Sequence, residues 1–390
     1  MSAPVLFEER SAANGMRIGI ATLNAEKSLN ALSLEMVHLL TERLAAWSVD
    51  TGIAFVVLQA AGEKAFCAGG DLQNLYRAMR AHHSSAERDD VSANAYAMEF
   101  FADEYRLDYL IHTFPKPVLC WGDGVVMGGG VGLMAGASHR VVTEQTRVAM
   151  PEISIGLFPD VGGSWLLSRM PGKIGLFLAL TATQVRAADA LFVGLADYAL
   201  VRSNKDAVFA ALLQQSWNKF ADDNHSFLSQ VLRQFADPTL AEAGMLQQNF
   251  AAINALCDRT SVAEIAAEIH AAAGTSPWLA KAAATLAGGS PGSAQLSMVL
   301  QQCAASKPLA DVFRMEYIVA LHCAARPDFA EGIRALLIDK DGSPRWQPAS
   351  LEQVSHTWLE GFFAEPAWAA HPLKNLEHTS PSAPIYGAEL

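Results

Sequence analysis

The stretch Gly122-Asp123-Gly124-Val125-Val126-Met127-Gly128-Gly129-Gly130-Val131-Gly132 follows the apolar run at residues 117–121 and leads into more small and apolar residues up to Gly136. It holds too many glycines to serve helix propensity alone. A strand that runs into glycines and then into a short helix leaves the first N–H groups of that helix facing outward, with the positive end of its dipole behind them. Other strand and helix units lie on either side. Residues 5–8 and 16–23 flank Asn14-Gly15, a dipeptide that accepts the positive φ angles of a tight hairpin turn. Ser33 is placed to cap a helix whose Leu34, Val37, Leu40, Leu44 and Trp47 recur on one face. Residues 53–58 form an apolar, β-branched run of the kind buried on both faces of a parallel sheet, and residues 117–121 and 140–143 are two more. This alternation through the first 200 residues predicts an α/β fold with parallel pairing.

Beyond about residue 205 the pattern changes. Residues 207–215, 240–256 and 262–273 read as helices, with Thr275-Ser276-Pro277 and Gly288-Gly289-Ser290-Pro291-Gly292 as breakers between later ones. The tail from about His371 is rich in Pro and Ser and is expected to be extended. The expected organisation is a core of residues 1–205 and a mostly helical region, 206–390, packed on it. A length of 390 residues permits this, at roughly 150 residues per domain.

Composition narrows the function. Apolar residues make up 51% and charged residues 17%, which excludes a disordered chain. A net charge of −12 is a poor match for nucleic acid, which needs clustered positive charge. The longest nearly apolar run, residues 125–137, is too short and too glycine-rich to span a membrane. The N-terminal MSAPVLFEER has no basic or apolar leader pattern, and the five scattered cysteines form no disulfide framework, so a cytoplasmic location is expected. The eleven histidines show no ligand spacing, and no metal is expected. Gly130-Val131-Gly132-Leu133-Met134-Ala135 fits a dinucleotide pattern, but a nicotinamide fingerprint belongs in the first strand-to-helix turn of its domain. This one lies more than a hundred residues in, so no cofactor is expected.

Two further segments carry candidate chemistry. In Ala65-Phe66-Cys67-Ala68-Gly69-Gly70-Asp71, successive small residues let a ligand approach the backbone closely and leave N–H groups free to donate. In Met150-Pro151-Glu152-Ile153-Ser154-Ile155-Gly156-Leu157-Phe158-Pro159-Asp160-Val161-Gly162-Gly163, Glu152 and Asp160 stand in otherwise apolar surroundings. Such carboxylates are either exposed at turns or held in a site with shifted pKa values.

Taken together and in this order, the three segments resemble the crotonase (enoyl-CoA hydratase/isomerase) superfamily. The resemblance implies a crotonase-like ββα spiral core with a helical C-terminal region. It also implies that the Ala68-Gly69-Gly70-Asp71 loop and the glycine turn bind an acyl-CoA. The backbone N–H groups of Gly70 and Gly129 would form an oxyanion hole for its thioester carbonyl. Fixed donors of this kind stabilise the developing oxyanion by about 3–4 kcal/mol each. Hydratases of the family carry two catalytic glutamates. Glu152 matches one, but the position of the other is Gly132, and Asp160 stands where they have a glycine. Adding water to a double bond needs a proton acceptor and a proton donor, so the missing carboxylate counts against hydration.

With Glu152 and Asp160 together, the chain is similar to the 3-hydroxyisobutyryl-CoA hydrolases, the thioesterases of valine breakdown. Residues 331–349, EGIRALLIDKDGSPRWQPA, and 100–105, FFADEY, also resemble theirs, which implies a substrate contact for Glu104. On residue pattern alone both segments read as surface helix or loop. The likeness covers nearly the whole chain and is looser between about 205 and 310.

The implied activity is hydrolysis of a short β-hydroxyacyl-CoA, 3-hydroxyisobutyryl-CoA first. Glu152 would be the main catalytic carboxylate, Asp160 would place the substrate hydroxyl or the water, and CoA would enter only as part of the substrate. Family cores often form trimers, so a homo-oligomer is compatible with the resemblance, as is a C-terminal region that covers the trimer surface. The alternatives are a hydratase or isomerase working with one glutamate, and a silent acyl-CoA-binding protein.

Overall fold

Gly15 takes φ +84° and turns the chain back, so that β1 (Val5–Ser11) pairs antiparallel with β2 (Arg17–Leu23). The computed structural model, which describes residues 3–376, adds seven more strands. They are β3 (Ile53–Ala60), β4 (Ala65–Cys67), β5 (Val118–Gly122), β6 (Val125–Met127), β7 (His139–Val142), β8 (Arg147–Ala149) and β9 (Tyr198–Ala199). One sheet has the order β1-β2-β3-β5-β7-β9, parallel from β2 onward, and a smaller one has the order β4-β6-β8. All residues from Ile53 to Leu58 are buried, as a strand covered on both faces requires. The α/β class expected from the alternation is therefore present.

The chain forms two compact units whose segments interleave. The first comprises the chain up to Gly70, Leu107–Val148 and Val185–Gln248; the second comprises Asp71–Arg106, Ala149–Gln184 and the chain from Asn249. Each unit draws on both sides of residue 205, a different division from a cut there. In the first unit, Ile20, Phe55, Val57 and Trp121 of the sheet are buried with Val208 and Leu212 of the helix Lys205–Gln214. Leu228 and Leu232 of Ala221–Phe235 and the connecting Trp217 join them. Helix α1 (Leu34–Val49) is capped as expected, Ser33 accepting the Met36 N–H, and it buries Met36 in place of Leu34 beside the expected positions.

Two local expectations need correction. Residues 240–256 are not one helix. The chain makes short turns at Pro238–Ala241 and Met245–Gln248 before Phe250–Cys257. Asp189 accepts hydrogen bonds from the N–H groups of Leu246 and Gln247, and a Cβ at Gly244 would lie 2.4 Å from its carboxyl group. That buried acid sets a helix start in the middle of the run. The two breakers do separate helices, as expected, and each also starts the next one: Ser276 and Ser290 cap Pro277–Gly288 and Pro291–Ala304, each with proline in the first turn. Residues 100–105 are helical but not surface, because Phe100, Phe101, Glu104 and Tyr105 are all buried. The Pro/Ser-rich tail lies outside the described residues from 377 onward. No helix among the described residues is long and apolar enough to cross a membrane.

Candidate active site

In the first unit the two glycine segments leave neighbouring strands. β4 and β6 are parallel, with Cys67 opposite Val126, so both end at the same edge of the small sheet. Past β4, Gly69 takes φ +110° and its carbonyl accepts the Leu32 N–H at 2.7 Å. Past β6, Gly128 takes φ +48° and α4 (Gly129–Ala135) begins. A Cβ at Gly130 would lie 2.4 Å from the Cys67 carbonyl oxygen, and one at Gly69 3.6 Å from that of Met127. The two turns thus lie against each other, and only glycine at 130 permits the approach. Gly129 is the first residue of α4, so its N–H has no acceptor inside the helix. Ala68 and Gly70 are part-exposed, and Gly132 is buried within α4.

Asp71 begins the second unit. Its carboxylate accepts the Asn74 N–H at 3.1 Å and the Asn74 side-chain amide at 2.6 Å, capping α2 (Leu72–His83). It holds the end of the glycine loop through this cap. The chain passes from one unit to the other at Gly70–Asp71 and again at Val148–Ala149, just before Glu152.

The second unit gathers the acids. Glu152 opens the short 3₁₀ turn Glu152–Ile155, and its backbone carbonyl accepts the Leu157 N–H. Its side chain is 4% exposed, and Oε2 has no hydrogen-bond partner among the described residues. Burial, and after it the charge of Asp160, push this carboxyl well above its ordinary range. Asp160 is pushed up to about 7 by burial, although a hydrogen bond from the Tyr105 hydroxyl to Oδ2, 2.8 Å long, pulls the other way. Glu104 and Tyr105 come from α3 (Ala95–His112). Glu104 is buried and held well above its usual range by burial first and Asp160 second.

A fourth acid, Glu316, comes from the helix Leu309–Ala325 and is fully buried. Its two oxygens accept the N–H groups of Gly162 and Ser164 at 2.7 and 2.8 Å, and burial pushes it up to about 8. The charge of Asp160 reaches Glu104, Glu152 and Glu316 alike. Burial holds all four carboxyls above their ordinary range, and the charge of Asp160 adds to this at Glu104, Glu152 and Glu316, the kind of environment in which acid–base groups occur.

The expected Glu104, Glu152 and Asp160 thus come together in the second unit, and Ala68, Gly70 and Gly129 in the first. Tyr105 and Glu316 join them without standing out as candidates in the sequence. A signal for Glu316 was present: with Leu309, Val312, Phe313, Tyr317 and Ala320 it lies on the one apolar face of its helix.

The family description enoyl-CoA hydratase/isomerase matches residues 18–363. The chain belongs to that family. A mitochondrial 3-hydroxyisobutyryl-CoA hydrolase of Danio rerio is 38% identical over 363 residues, covering 92% of this chain and 89% of its own. The crystal structure of a carnitinyl-CoA dehydratase from Mycobacterium thermoresistibile is 35% identical, with a TM-score of 0.80 over 93% of this chain and 97% of its own. An enoyl-CoA hydratase from Rhodobacter sphaeroides is 33% identical, with a TM-score of 0.78 over the same shares. The fold of this hydratase/isomerase family member is therefore the crotonase fold through nearly its whole length.

Proposed function

We propose that this protein hydrolyses a short β-hydroxyacyl-CoA thioester, 3-hydroxyisobutyryl-CoA first, to the free hydroxy acid and CoA. The observation that carries the reading is Glu152, a buried carboxylate with a free oxygen, beside Asp160 and without a second acid at Gly132. The similarity to the hydrolase of Danio rerio supports the same substrate.

In this reading the N–H groups of Gly70 and Gly129 polarise the thioester carbonyl, where negative charge develops as the acyl carbon is attacked. Glu152 either takes a proton from the attacking water or attacks the acyl carbon itself to give an anhydride that water then opens. Both routes release CoA as the thiol. Asp160 places the β-hydroxyl or the water and assists proton transfer, Glu104 contacts the acyl group, and Ala68 and Asp71 shape the loop along the ester. No metal or separate cofactor takes part. A place in valine breakdown and a homo-oligomeric state belong to the same proposal. So does a reducing, cytoplasmic setting, which five cysteines outside any disulfide among the described residues suit. The relative of Danio rerio carries a mitochondrial designation.

A second reading, hydration of an enoyl-CoA, draws on the names of the two similar solved structures. Free-thiol release across a small panel of acyl-CoAs tests the proposal, with 3-hydroxyisobutyryl-CoA expected to be the best substrate. Loss of crotonyl-CoA absorbance without thiol release would overturn it in favour of hydration. Tight ester binding with neither signal would overturn it in favour of a silent binding protein.

A further inference from the structure

The turn that carries Asp160 is unfavourable in isolation. Val161 takes φ +53° and Gly162 φ +81°, two left-handed residues in succession, and the first is β-branched. The Gly163 N–H closes the turn on the Asp160 carbonyl at 2.7 Å. The helix that follows, α5 (Gly163–Leu167), has glycine at its N-cap and so no side chain there to accept its first N–H groups. Glu316 supplies both acceptors from 154 residues further along the chain. The helix that carries Glu316 also packs against the turn through Phe313. A Cβ at Gly162 would lie 3.1 Å from Phe313 Cζ, and the Phe313 ring lies 5.5 Å from that of Tyr105, the donor to Asp160.

We propose that Glu316 is a positioning residue for Asp160: by accepting the Gly162 and Ser164 N–H groups it holds the left-handed Asp160–Gly162 turn in the one conformation that aims the Asp160 carboxylate. Both Glu316 oxygens are engaged by backbone donors, so the side chain acts through the turn and not on the substrate. The titratable groups facing Asp160 are Glu104 and Tyr105 from α3, Glu152 from its 3₁₀ turn, and Glu316 and Cys323 from the helix Leu309–Ala325. Asp160 is therefore fixed from two sides of the chain, its side chain by Tyr105 and the turn that follows it, at Gly162 and Ser164, by Glu316. The role rests on the hydrolase reading above.

The test is a cycle of Glu316→Gln and Asp160→Asn in the full chain, read as thiol release from 3-hydroxyisobutyryl-CoA, with melting temperature recorded for each variant. Glu316→Gln keeps the shape and one acceptor. It should lower kcat about 10-fold at nearly constant KM, and Glu316→Ala about 10²-fold, the scale of a small misplacement in an active site. In the Asp160→Asn background, Glu316→Gln should cost no further rate, because the group it aims has already been removed. A lower melting temperature with an unchanged rate per folded molecule overturns the proposal, and so do losses that multiply in the double variant. If the wild type releases no thiol, the hydrolase reading has failed on its own. The ¹³C-NMR shift of the Asp160 carboxyl at a pH low enough that both acids are protonated then decides the positioning, because no charge difference remains there. A different shift in Glu316→Gln supports it, and coincident shifts overturn it.

Discussion

Tyr105 donates a 2.8 Å hydrogen bond from its hydroxyl to Oδ2 of Asp160, and both side chains are buried. The tyrosine is itself held far above its usual pKa by burial, so it stays protonated and donates throughout the working range. Its hydrogen bond favours the ionised form of Asp160, while burial lifts that carboxyl to about 7. Tyr105→Phe removes the opposing influence, so Asp160 should titrate above 7. In a rate–pH profile for thioester cleavage, the limb belonging to ionised Asp160 should move to higher pH. Turnover lost at pH 7 should return on the alkaline side. A limb that stays in place would show that Asp160 does not set the profile.

Glu152→Gln separates a catalytic acid from a loop residue. The turn is made by the Glu152 backbone carbonyl with the Leu157 N–H, and one side-chain oxygen has no partner among the described residues. The amide should therefore leave the fold and the melting temperature nearly unchanged. Thioester cleavage should fall roughly 10²–10⁴-fold, the range for a positioned acid–base group. Binding of a CoA ester should change little, because the proposed oxyanion donors are backbone groups. Rate and melting temperature measured on this one variant decide the matter, and a normal rate would remove Glu152 from the mechanism.

Local signals made the core legible. Asn14-Gly15 dictated the hairpin, the unbroken apolar run of β3 dictated burial on both faces, and the glycines around Gly129 marked a turn where backbones approach closely. What could not be read was decided at long range. Asp189 starts a short helix 57 residues later, and Glu316 caps α5 from 152 residues away. Neither pairing leaves a mark in a window of ten or twenty residues. Glu152 and Asp160 stood out as carboxylates in an apolar stretch and took their roles from the family resemblance, whereas Glu104 came from the resemblance alone; pattern alone would have put it on a surface helix or loop, yet it is 2% exposed. Which unit a segment joins was equally hidden, since residues 71–106 precede β5 in the chain yet cluster with the C-terminal helices.

Truncation at residue 205 tests the division into a core and a packed helical region. In the first unit it removes Trp217, whose ring lies 4.5 Å from that of Phe55, together with Val208, Leu212, Leu228 and Leu232. Each sheet side chain thereby exposed to water forfeits up to about 1.5–3 kcal/mol, and together they leave an apolar patch. In the second unit it removes Glu316 from the turn of Asp160. The fragment 1–205 should be poorly soluble, without a cooperative thermal transition, and inactive in thiol release. A soluble, active fragment would establish the first 205 residues as an independent enzyme.

The buried acids should also make stability depend on pH in a particular direction. Asp160 is raised from 3.8 to about 7, Glu316 from 4.5 to about 8 and Asp328 from 3.8 to about 6, each chiefly by burial. A carboxyl whose folded pKa exceeds its unfolded one keeps its proton longer in the native state. Its contribution is full below the unfolded value and is lost as pH rises through the folded one. Two histidines largely withdrawn from water act in the opposite sense at lower pH. His112 and His139 are lowered from 6.5 to about 4, so the stability they confer is lost as pH falls from 6.5 toward 4. The two effects oppose one another below pH 6.5, whereas between 6.5 and 8 the raised carboxyls act without that opposition. Melting temperature should therefore fall from pH 6.5 to pH 8, by an amount on the order of a few kcal/mol in stability. Glu316→Gln or Asp160→Asn should each flatten that fall, because an amide has no proton to lose. A melting temperature that is level or rising over this interval in the wild type would mean that these acids are ionised in the native state despite their burial.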